Sequence, residues 1–392
     1  MTDSHVLLWH WGRSGAGAKF TFELARHLPR CGVRLALSGA IGSDLCVLTR
    51  SLHGLTTDNV STFDGNKATL RGKLTAALSL SCIPLIAYRF HRMLRKHHVD
   101  VALCAFQSIW DVATLPILSH GPVRSILILH DAFFHPGDEY PFRHLVLRRQ
   151  IQNTDALIVL SEHVRQQAIE AFDYPADRIW KMQHAAFAFG RNTVHPAIHP
   201  RGSRPLRLLF FGRIIAYKGL DRLLLAVKLL IERRLSVKLV IAGSGSLEPY
   251  ARLLDAAPHV EVHNRWLGDE EIAEFMAMSD VIILPYVEAS QSGVAATAYA
   301  AGRQIVAYPI GGLVEQVAHG IIGLLAHDMS IEALADAIME FVTHPSLLDD
   351  CAARALAHAQ DELSWRKSAL TVAEVIDVVR AAPRRRMLRR EK

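Results

Sequence analysis

The chain has 392 residues, half of them hydrophobic, which is enough for about two domains with substantial cores and excludes gross disorder. Its formal net charge of +6 favours anionic partners such as nucleotides, acidic lipids or nucleic acid.

Cysteine usage and the N-terminal segment point to a reducing compartment. The five cysteines are scattered and form no Cys-x-x-Cys pair, which argues against a disulfide framework and against a zinc knuckle. The N-terminus lacks the positive region and the long apolar run of a signal peptide. No stretch reaches the roughly 18 apolar residues that a membrane-spanning helix needs. We therefore expect a cytoplasmic location.

The first strand, Val6 to Trp11, is followed by a glycine-rich turn and an amphipathic helix. The turn fails the dinucleotide pattern G-x-G-x-x-G. It also fails the Walker pattern, because Ala18 stands before Lys19 and Phe20 replaces the Ser or Thr. Two interpretations remain open. Gly15 and Gly17 let the backbone approach a ligand closely, or they form a tight turn with a purely structural role.

The segment from Leu70 to His98 has an apolar centre and basic flanks. It is too short to span a bilayer, but a basic amphipathic segment can lie on a membrane surface. The alternative is a core helix whose polar end is solvated. The tail from Arg384 to Arg390 is also strongly basic and is either disordered or in contact with acidic lipid.

A histidine follows the predicted strand Arg124 to Leu129. His130 therefore lies at the carboxyl edge of a sheet, where open α/β folds place ligands, although lone histidines are often structural. His135 is close enough to be confused with it. The stretch Lys181-Met182-Gln183-His184 resembles a further strand, the last of this first series, with Ala185 where a glycine is usual.

A segment rich in His, Pro, Arg and Gly, from Val194 to Pro205, separates two strand–helix series and is predicted to be the interdomain linker. The second series opens with an apolar strand that ends at Gly212, and a leucine-rich helix begins at Gly219. Arg213 and Lys218 occupy the turn between them. A strand-to-helix turn with free backbone N–H groups and two cations suits a phosphate. The alternative is a pair of solvated loop cations.

Two further turns follow strands of this series. The strand Val237 to Ala242 precedes Gly243-Ser244-Gly245, where backbone can come close to a base or a phosphate. The strand Val281 to Leu284 precedes a polar turn from Glu288 to Gly293, whose donors suit a sugar or a phosphate.

The ordered set formed by Gly212-Arg213, Lys218-Gly219 and the turns above resembles GT-B glycosyltransferases of the retaining family 4. The resemblance covers most of the chain. It implies an α/β architecture of two Rossmann-like domains with a central cleft and a C-terminal helix that crosses back. The implied boundaries are 1–200 for the acceptor domain, 201–365 for the donor domain and 366–392 for the crossover helix and tail.

The resemblance also implies roles for individual residues. The diphosphate of a donor would be held by Arg213 and Lys218, and His130 would contact the transferred sugar or the acceptor. The predicted catalytic residues are His130, Glu288, Arg213 and Lys218. The predicted donor-binding residues are Gly15, Gly17, Gly212, Arg213, Lys218, Gly243, Glu288, Ser292, Gly293 and Thr297.

One part of the sequence departs from the family pattern. The family has two glutamates eight residues apart, and here those positions hold Ala289 and Thr297. Glu288 lies one residue early and would fill the first role through a local shift. Thr297 would meet the ribose with one hydroxyl where a carboxylate accepts two hydrogen bonds. Ser292 and Gly293 offer further donors.

The function implied is transfer of a sugar from a UDP- or GDP-sugar to a hydroxyl of a lipid-linked or saccharide acceptor. Bacterial surface polysaccharide or glycolipid synthesis is the expected setting, with no cofactor, no required metal and peripheral contact with an anionic membrane at the inner face of the plasma membrane. A nucleotide-sugar epimerase of the same fold is the alternative, but it needs an acid/base pair beyond His130 and Glu288. A nucleic-acid-binding protein is a third hypothesis. Because the aromatic residues show no stacking pattern interleaved with cations, nucleic acid is not expected as a partner.

Overall fold

A computed structural model describes residues 4–62, 80–134, 143–187, 189, 204–257 and 259–383. The chain forms two compact units, each built on its own parallel sheet. The first unit contains the described residues up to 182 and the stretch from Trp365 onward. The second runs from Gln183 to Ser364. The predicted linker lies almost wholly outside the described residues, so the boundary predicted at residue 200 stays a prediction.

The first sheet has seven strands in the described residues, in the order β3-β2-β1-β4-β5-β6-β7. Helices cover a parallel sheet on both faces, which is why its central strands are continuous apolar runs. In β1, for example, Leu7 pairs with Ala36 on one side and with Ala102 on the other, and all three are buried. The strands are β1 His5–His10, β2 Arg34–Gly39, β3 Thr56–Thr57, β4 Val101–Cys104, β5 Arg124–Leu129, β6 Ala156–Val159 and β7 Ile179–Lys181.

Helices alternate with these strands along the chain, as a doubly wound fold requires. They are α1 Ala16–His27, α2 Asp44–Leu48, α3 Ile83–Lys96, α4 Leu115–His120, α5 Arg143–Gln152 and α6 Glu162–Phe172. Helix α3 confirms a helix in the C-terminal part of the basic apolar segment, whose residues 70–79 lie outside the described part of the chain. Within the described part of the chain, no helix is both long enough and apolar enough to cross a bilayer.

The second sheet has six strands in the described residues, in the order β10-β9-β8-β11-β12-β13, all parallel. Apolar cores lie on both of its faces. The strands are β8 Leu206–Phe211, β9 Val237–Gly243, β10 Val260–Asn264, β11 Val281–Leu284, β12 Gln304–Ala307 and β13 Gly323–Leu325. The helices are α7 Leu220–Glu232, α8 Ala251–Asp255, α9 Asp269–Met278, α10 Gly293–Ala300, α11 Leu313–Gln316, α12 Ile331–Thr343 and α13 Pro345–Glu362.

The last helix, α14 Trp365–Ala381, belongs to the first unit, which confirms the predicted crossing of the C-terminal helix. It packs against α1, and the ring centroids of Trp365 and Phe20 are 5.1 Å apart in an edge-to-face arrangement. The residue after its C-terminus is hydrogen-bonded to β5, because the guanidinium of Arg124 donates to the carbonyl of Ala382 at 3.0 Å. The basic tail beyond Pro383 lies outside the described residues.

Candidate functional site

The turns that follow β8 and β9 run side by side. The N–H of Gly212 donates to Ala242 O at 3.0 Å, and the N–H of Ile214 donates to Ser244 O at 2.9 Å. A Cβ on Gly243 would lie 1.8 Å from Gly212 O, so only glycine fits there. The group that lies close to Gly243 is thus the backbone of the turn after β8, and contact of Gly243 with a donor stays a prediction. Because two of the turn's N–H groups are already bonded, anion binding here depends more on side chains than the sequence suggested.

The turn after β8 also lies at the point where the strand order reverses. Chain connections leave β8 toward β9 on one side, and β11 pairs with β8 on the other, so the turns after β8 and β11 flank a topological switch point. Ligands of open α/β sheets bind in the crevice at such points. Gly219 joins the two turns, since its φ is +67° and a Cβ there would lie 1.9 Å from Pro285 O.

Two tyrosines hold the predicted phosphate-binding cations. The Nζ of Lys218 lies 3.6 Å from the ring centroid of Tyr286 and 5.2 Å from that of Tyr217. Arg213 donates to the hydroxyl of Tyr217 at 3.4 Å. Arg213 is exposed and Lys218 half-buried. Cation–π contact with Tyr286 therefore places the Lys218 ammonium, and a hydrogen bond to Tyr217 places the Arg213 guanidinium.

Tyr286 connects this turn to the one before α10. Burial raises the pKa of Tyr286, so the phenol stays protonated, and its hydroxyl lies 3.5 Å from Ser292 Oγ. The side-chain amide of Gln316 makes hydrogen bonds with both the N–H and the carbonyl of Ser292. Ser292 N–H donates to Gln316 Oε1 at 2.7 Å, and Gln316 Nε2 donates to Ser292 O at 3.1 Å. These bonds rigidify the polar turn in which Ser292 and Gly293 were predicted to bind the donor.

A histidine packs against the start of α10. A Cβ on Gly293 would lie 3.3 Å from His184 Nε2, so the small residue admits the ring. The Nδ1–H of His184 donates to Ala185 O at 2.8 Å, and burial lowers the pKa of His184, which keeps the imidazole neutral. His184 follows the first unit's last strand in sequence but belongs to the second unit.

The two positions of the family's glutamate pair differ in environment. Ala289 is buried in the core, and its carbonyl accepts from Gly312 N at 3.0 Å. Thr297 is buried on α10, and its hydroxyl donates to Gly293 O at 2.9 Å. Glu288 is half-buried in the turn. The donor-binding roles of Glu288 and Thr297 stay predictions.

In the first unit, the glycine-rich turn folds around a buried histidine. The Nδ1–H of His10 donates to Phe106 O at 2.8 Å, and a Cβ on Gly17 would lie 2.8 Å from His10 Nε2 and 2.9 Å from Phe106 Cγ. Gly15 has a φ of +95° and donates its N–H to Asp44 Oδ2 at 3.2 Å. Packing and backbone conformation account for both glycines. Their predicted contact with a donor stays a prediction.

His130 lies at the carboxyl end of β5, as the sequence predicts. It is buried, and its Nε2–H donates to Ala105 O at 3.0 Å. Its ring lies between Phe20 and Phe106, with centroid distances of 4.6 and 4.2 Å. The tautomer and the ring orientation are therefore set. His135, the alternative, lies outside the described residues.

Sequence reasoning missed several residues around these turns. Tyr217, Tyr286 and Gln316 form the supports described above, and local sequence contains no signal for such long-range contacts. Trp266 is 73% exposed and follows Arg265, whose N–H donates to Gly243 O at 2.9 Å.

Residues 205–344 match the family described as Glycosyl transferases group 1. Over 96% of this chain, the structure superimposes on all of Anabaena Alr3699/HepE in complex with UDP, with a TM-score of 0.73 and 16% identity. The chain has the GT-B glycosyltransferase fold. The residues that match the family model lie in the second unit and include Arg213 and Lys218.

Sequence relatives of this GT-B chain carry the names of glycosyltransferases. A D-inositol 3-phosphate glycosyltransferase of Streptomyces griseus is 34% identical over 51% of this chain and 47% of the relative. The chain spans about half the length of such curated relatives. A GDP-mannose-dependent alpha-(1-6)-phosphatidylinositol monomannoside mannosyltransferase of Mycolicibacterium smegmatis is 24% identical over 76% of this chain and 82% of the relative.

Proposed function

We propose that this protein transfers a sugar from a nucleoside-diphosphate sugar to an acceptor hydroxyl, with retention of anomeric configuration. The observation that carries the proposal is the pair Arg213 and Lys218 at the switch point of the second sheet, each held by a tyrosine. Two oriented cations beside a strand-to-helix turn match the charge of a diphosphate.

In the proposed reaction, the bond between the anomeric carbon and the diphosphate breaks and a bond from that carbon to the acceptor oxygen forms, while the hydroxyl proton passes to an oxygen of the leaving diphosphate. Negative charge grows on the leaving diphosphate. Arg213 and Lys218 would stabilise that charge, and they need little reorganisation because their side chains are already placed. This role uses side-chain cations, so we expect no metal requirement.

The other predicted residues take supporting roles in this proposal. Glu288 and the turn from Ser290 to Gly293 would orient the nucleotide or the sugar, since the hydrogen bonds of Gln316 to Ser292 keep that turn rigid. His130 would contact the sugar or the acceptor with a ring whose orientation is set by Ala105.

We infer that the donor carries uridine or guanosine. The Anabaena structure contains UDP, and the Mycolicibacterium relative is named for GDP-mannose. One relative is named for D-inositol 3-phosphate and another for phosphatidylinositol monomannoside. We therefore propose a polar hydroxylated acceptor, within glycolipid or surface polysaccharide synthesis.

Contact with an anionic membrane forms part of the proposal. Helix α3 exposes Leu85 and Tyr88 at 53% and 62%, and Arg92 and Arg95 are exposed one and two turns further on. A helix with exposed apolar residues and cations binds an acidic lipid surface. Such binding would place the protein at the inner face of the plasma membrane.

The test measures sugar transfer from UDP- and GDP-linked sugars through the release of nucleoside diphosphate. The NMR coupling constant of the product's anomeric proton gives the configuration of the product. We expect turnover with one base and a product of unchanged anomeric configuration. The His130→Ala variant should lose transfer while it keeps nucleotide binding. Turnover without acceptor that interconverts two nucleotide sugars would instead establish an epimerase.

A further inference from the structure

A fully buried carboxyl group lies close to the carboxyl ends of β1 and β4. Asp111 is 0% exposed and belongs to the short 3₁₀ turn Ile109–Ala113. Its Oδ1 accepts from Trp9 Nε1 at 3.0 Å and from Ser108 Oγ at 3.2 Å. Its Oδ2 accepts from Ser108 N at 2.8 Å and from Cys104 Sγ at 3.6 Å. Donors from β1, from β4 and from the segment after β4 thus converge on one side chain.

Capping of the 3₁₀ turn explains only part of these contacts. Asp111 forms a capping box with Ser108, and that motif needs no bond beyond those two residues. The indole of Trp9 and the thiol of Cys104 are additional partners, and none of the partners in the described chain is a cation. Because burial of a carboxyl group without a cationic partner is costly, these contacts favour a role in fixing the geometry of the surrounding backbone.

The backbone that Asp111 fixes is the segment Ala105–Ser108. At one end of the segment, Ala105 N–H donates to Trp9 O at 3.1 Å. At the other end, Ser108 N–H donates to Asp111, which is itself bonded to the indole of Trp9. Both ends of the segment are therefore held in place relative to Trp9, one directly and one through Asp111.

This segment supplies the acceptors of two buried histidines. His130 Nε2–H donates to Ala105 O at 3.0 Å, and His10 Nδ1–H donates to Phe106 O at 2.8 Å. The ring centroid of Phe106 also lies 4.2 Å from that of His130 and 5.6 Å from that of His10. A shift of the segment would move both carbonyls and the phenyl ring, so it would reorient the imidazole of His130.

We propose that Asp111 is a positioning residue that holds the imidazole of His130 in place through the backbone of Ala105–Ser108. The inference rests on the proposed function, in which His130 contacts the transferred sugar or the acceptor. Asp111 would touch neither. Its contribution would be to preorganise a reacting group through a second layer of hydrogen bonds, since a small misplacement of such a group slows the chemical step.

NMR of the His130 ring tests this positioning without any substrate. The full chain is labelled with ¹⁵N-histidine, His130→Gln assigns the signal, and the pH is kept well above the pKa of about 6 to which burial raises Asp111. In Asp111→Asn an NH₂ group replaces one acceptor oxygen, so a donor from Trp9 or Ser108 loses its partner. We expect the His130 Nε2–H signal to shift and its exchange with water to become about tenfold faster.

Asp155→Asn is the matched control, because Asp155 is a buried carboxyl group at the opposite edge of the same sheet. It is 3% exposed and accepts from Ser125 N at 3.0 Å and from Ser125 Oγ at 3.3 Å. This control removes a comparable acceptor far from the segment that holds His130. We expect its His130 signal to match that of wild type even where it loses stability.

Trp9→Phe with Trp11→Phe as its control provides a second comparison if Asp111→Asn does not fold. Both tryptophans are buried, but the indole of Trp9 bonds Asp111, whereas that of Trp11 donates to Ser38 Oγ at 3.0 Å. We expect Trp9→Phe to shift the His130 signal in the same direction as Asp111→Asn, and Trp11→Phe to leave it in place.

Steady-state kinetics connect the ring position to the proposed reaction. We expect Asp111→Asn to lower kcat about tenfold or more, because the reacting group is misplaced. The KM for the nucleotide sugar should stay unchanged, because the proposed donor residues lie in the second unit. Asp155→Asn should keep both values.

Three results would overturn the inference: an unmoved His130 signal in Asp111→Asn or Trp9→Phe, an equal shift in the matched control, or a shifted signal with unchanged kcat. Absence of sugar transfer by wild type would instead contradict the proposed function. The NMR comparison would still decide whether Asp111 places His130, so the two failures are distinguishable.

Discussion

Lys218 owes its position to the ring of Tyr286, whose centroid lies 3.6 Å from Lys218 Nζ. Tyr286→Phe keeps the ring and loses only the long contact to Ser292, so we expect nucleotide affinity within about twofold of wild type. Tyr286→Leu removes the cation–π contact, which contributes about 0.5–2 kcal/mol, and should weaken binding several-fold. Calorimetry with UDP or GDP measures both. Equal losses in the two variants would show that the hydroxyl, and not the ring, places Lys218.

Gly243 is required by the backbone of the neighbouring turn. In Gly243→Ala the new Cβ would collide with Gly212 O, so the pairing of the two turns must open, with a clear loss of unfolding free energy and of nucleotide binding. Gly320→Ala is the matched control. Its φ is +73° and no atom lies within 4 Å of the added Cβ, so only the conformational cost of about 1–2 kcal/mol remains. Denaturant unfolding compares the two. A smaller effect at Gly243 would contradict the observed contact.

Asp111 makes stability depend on pH in the direction opposite to most carboxyl groups. Burial is the main cause that raises its pKa to about 6. The folded state therefore holds this proton more tightly than the unfolded state, and stability falls as the pH rises from about 4 to about 6. We expect wild type to lose unfolding free energy relative to Asp111→Asn across that range and to keep a constant difference above it. Parallel stability curves for the two proteins would rule this out.

At the level of elements, helix α3 is the predicted membrane contact. Arg92→Gln with Arg95→Gln should weaken the free energy of binding to anionic vesicles by about 1 kcal/mol per charge at low salt, as measured by co-sedimentation. Leu85→Ser with Tyr88→Ser should weaken the same binding through lost apolar burial. Arg30→Gln with Arg50→Gln removes the same charge from exposed positions elsewhere in the first unit and is the control. If the control loses as much binding as the Arg92 and Arg95 variant, net charge and not this helix attracts the vesicles.

Much of this architecture is predictable from sequence because its strands are local apolar runs. The predicted strands Arg124 to Leu129 and Val281 to Leu284 coincide with β5 and β11. The cations Arg213 and Lys218 were also predictable, because they lie within one turn between a strand and a helix. The leucine-rich helix begins at Leu220, after a short 3₁₀ turn over Ala216–Lys218 that local periodicity does not distinguish from the helix.

The rest of the candidate site depends on contacts between residues far apart in sequence. The ring of Tyr286 under Lys218, the amide of Gln316 on Ser292 and the carbonyl of Gly212 against Gly243 follow from strand order, which no single turn encodes. The same applies to Gly17. Its neighbours His10 and Phe106 come from the ends of β1 and β4, so the glycine has a packing explanation that the sequence could not supply.

At the scale of the whole molecule, we propose that the second unit binds the donor and that Arg213 and Lys218 bind its diphosphate. The most direct test is a thermal-shift measurement with UDP and with GDP on three proteins: wild type, Arg213→Ala with Lys218→Ala, and Lys228→Ala with Arg252→Ala. The last pair removes the same charge from exposed helix positions of the same unit.

A ligand that binds only the folded state raises the midpoint by mass action, with about 2.7 kcal/mol of stabilisation at 100 times the Kd. We predict a rise with one of the two nucleotides in wild type and in the Lys228 and Arg252 variant, and no rise in the Arg213 and Lys218 variant. Equal shifts in all three proteins, or no shift of wild type with either nucleotide, would contradict the account.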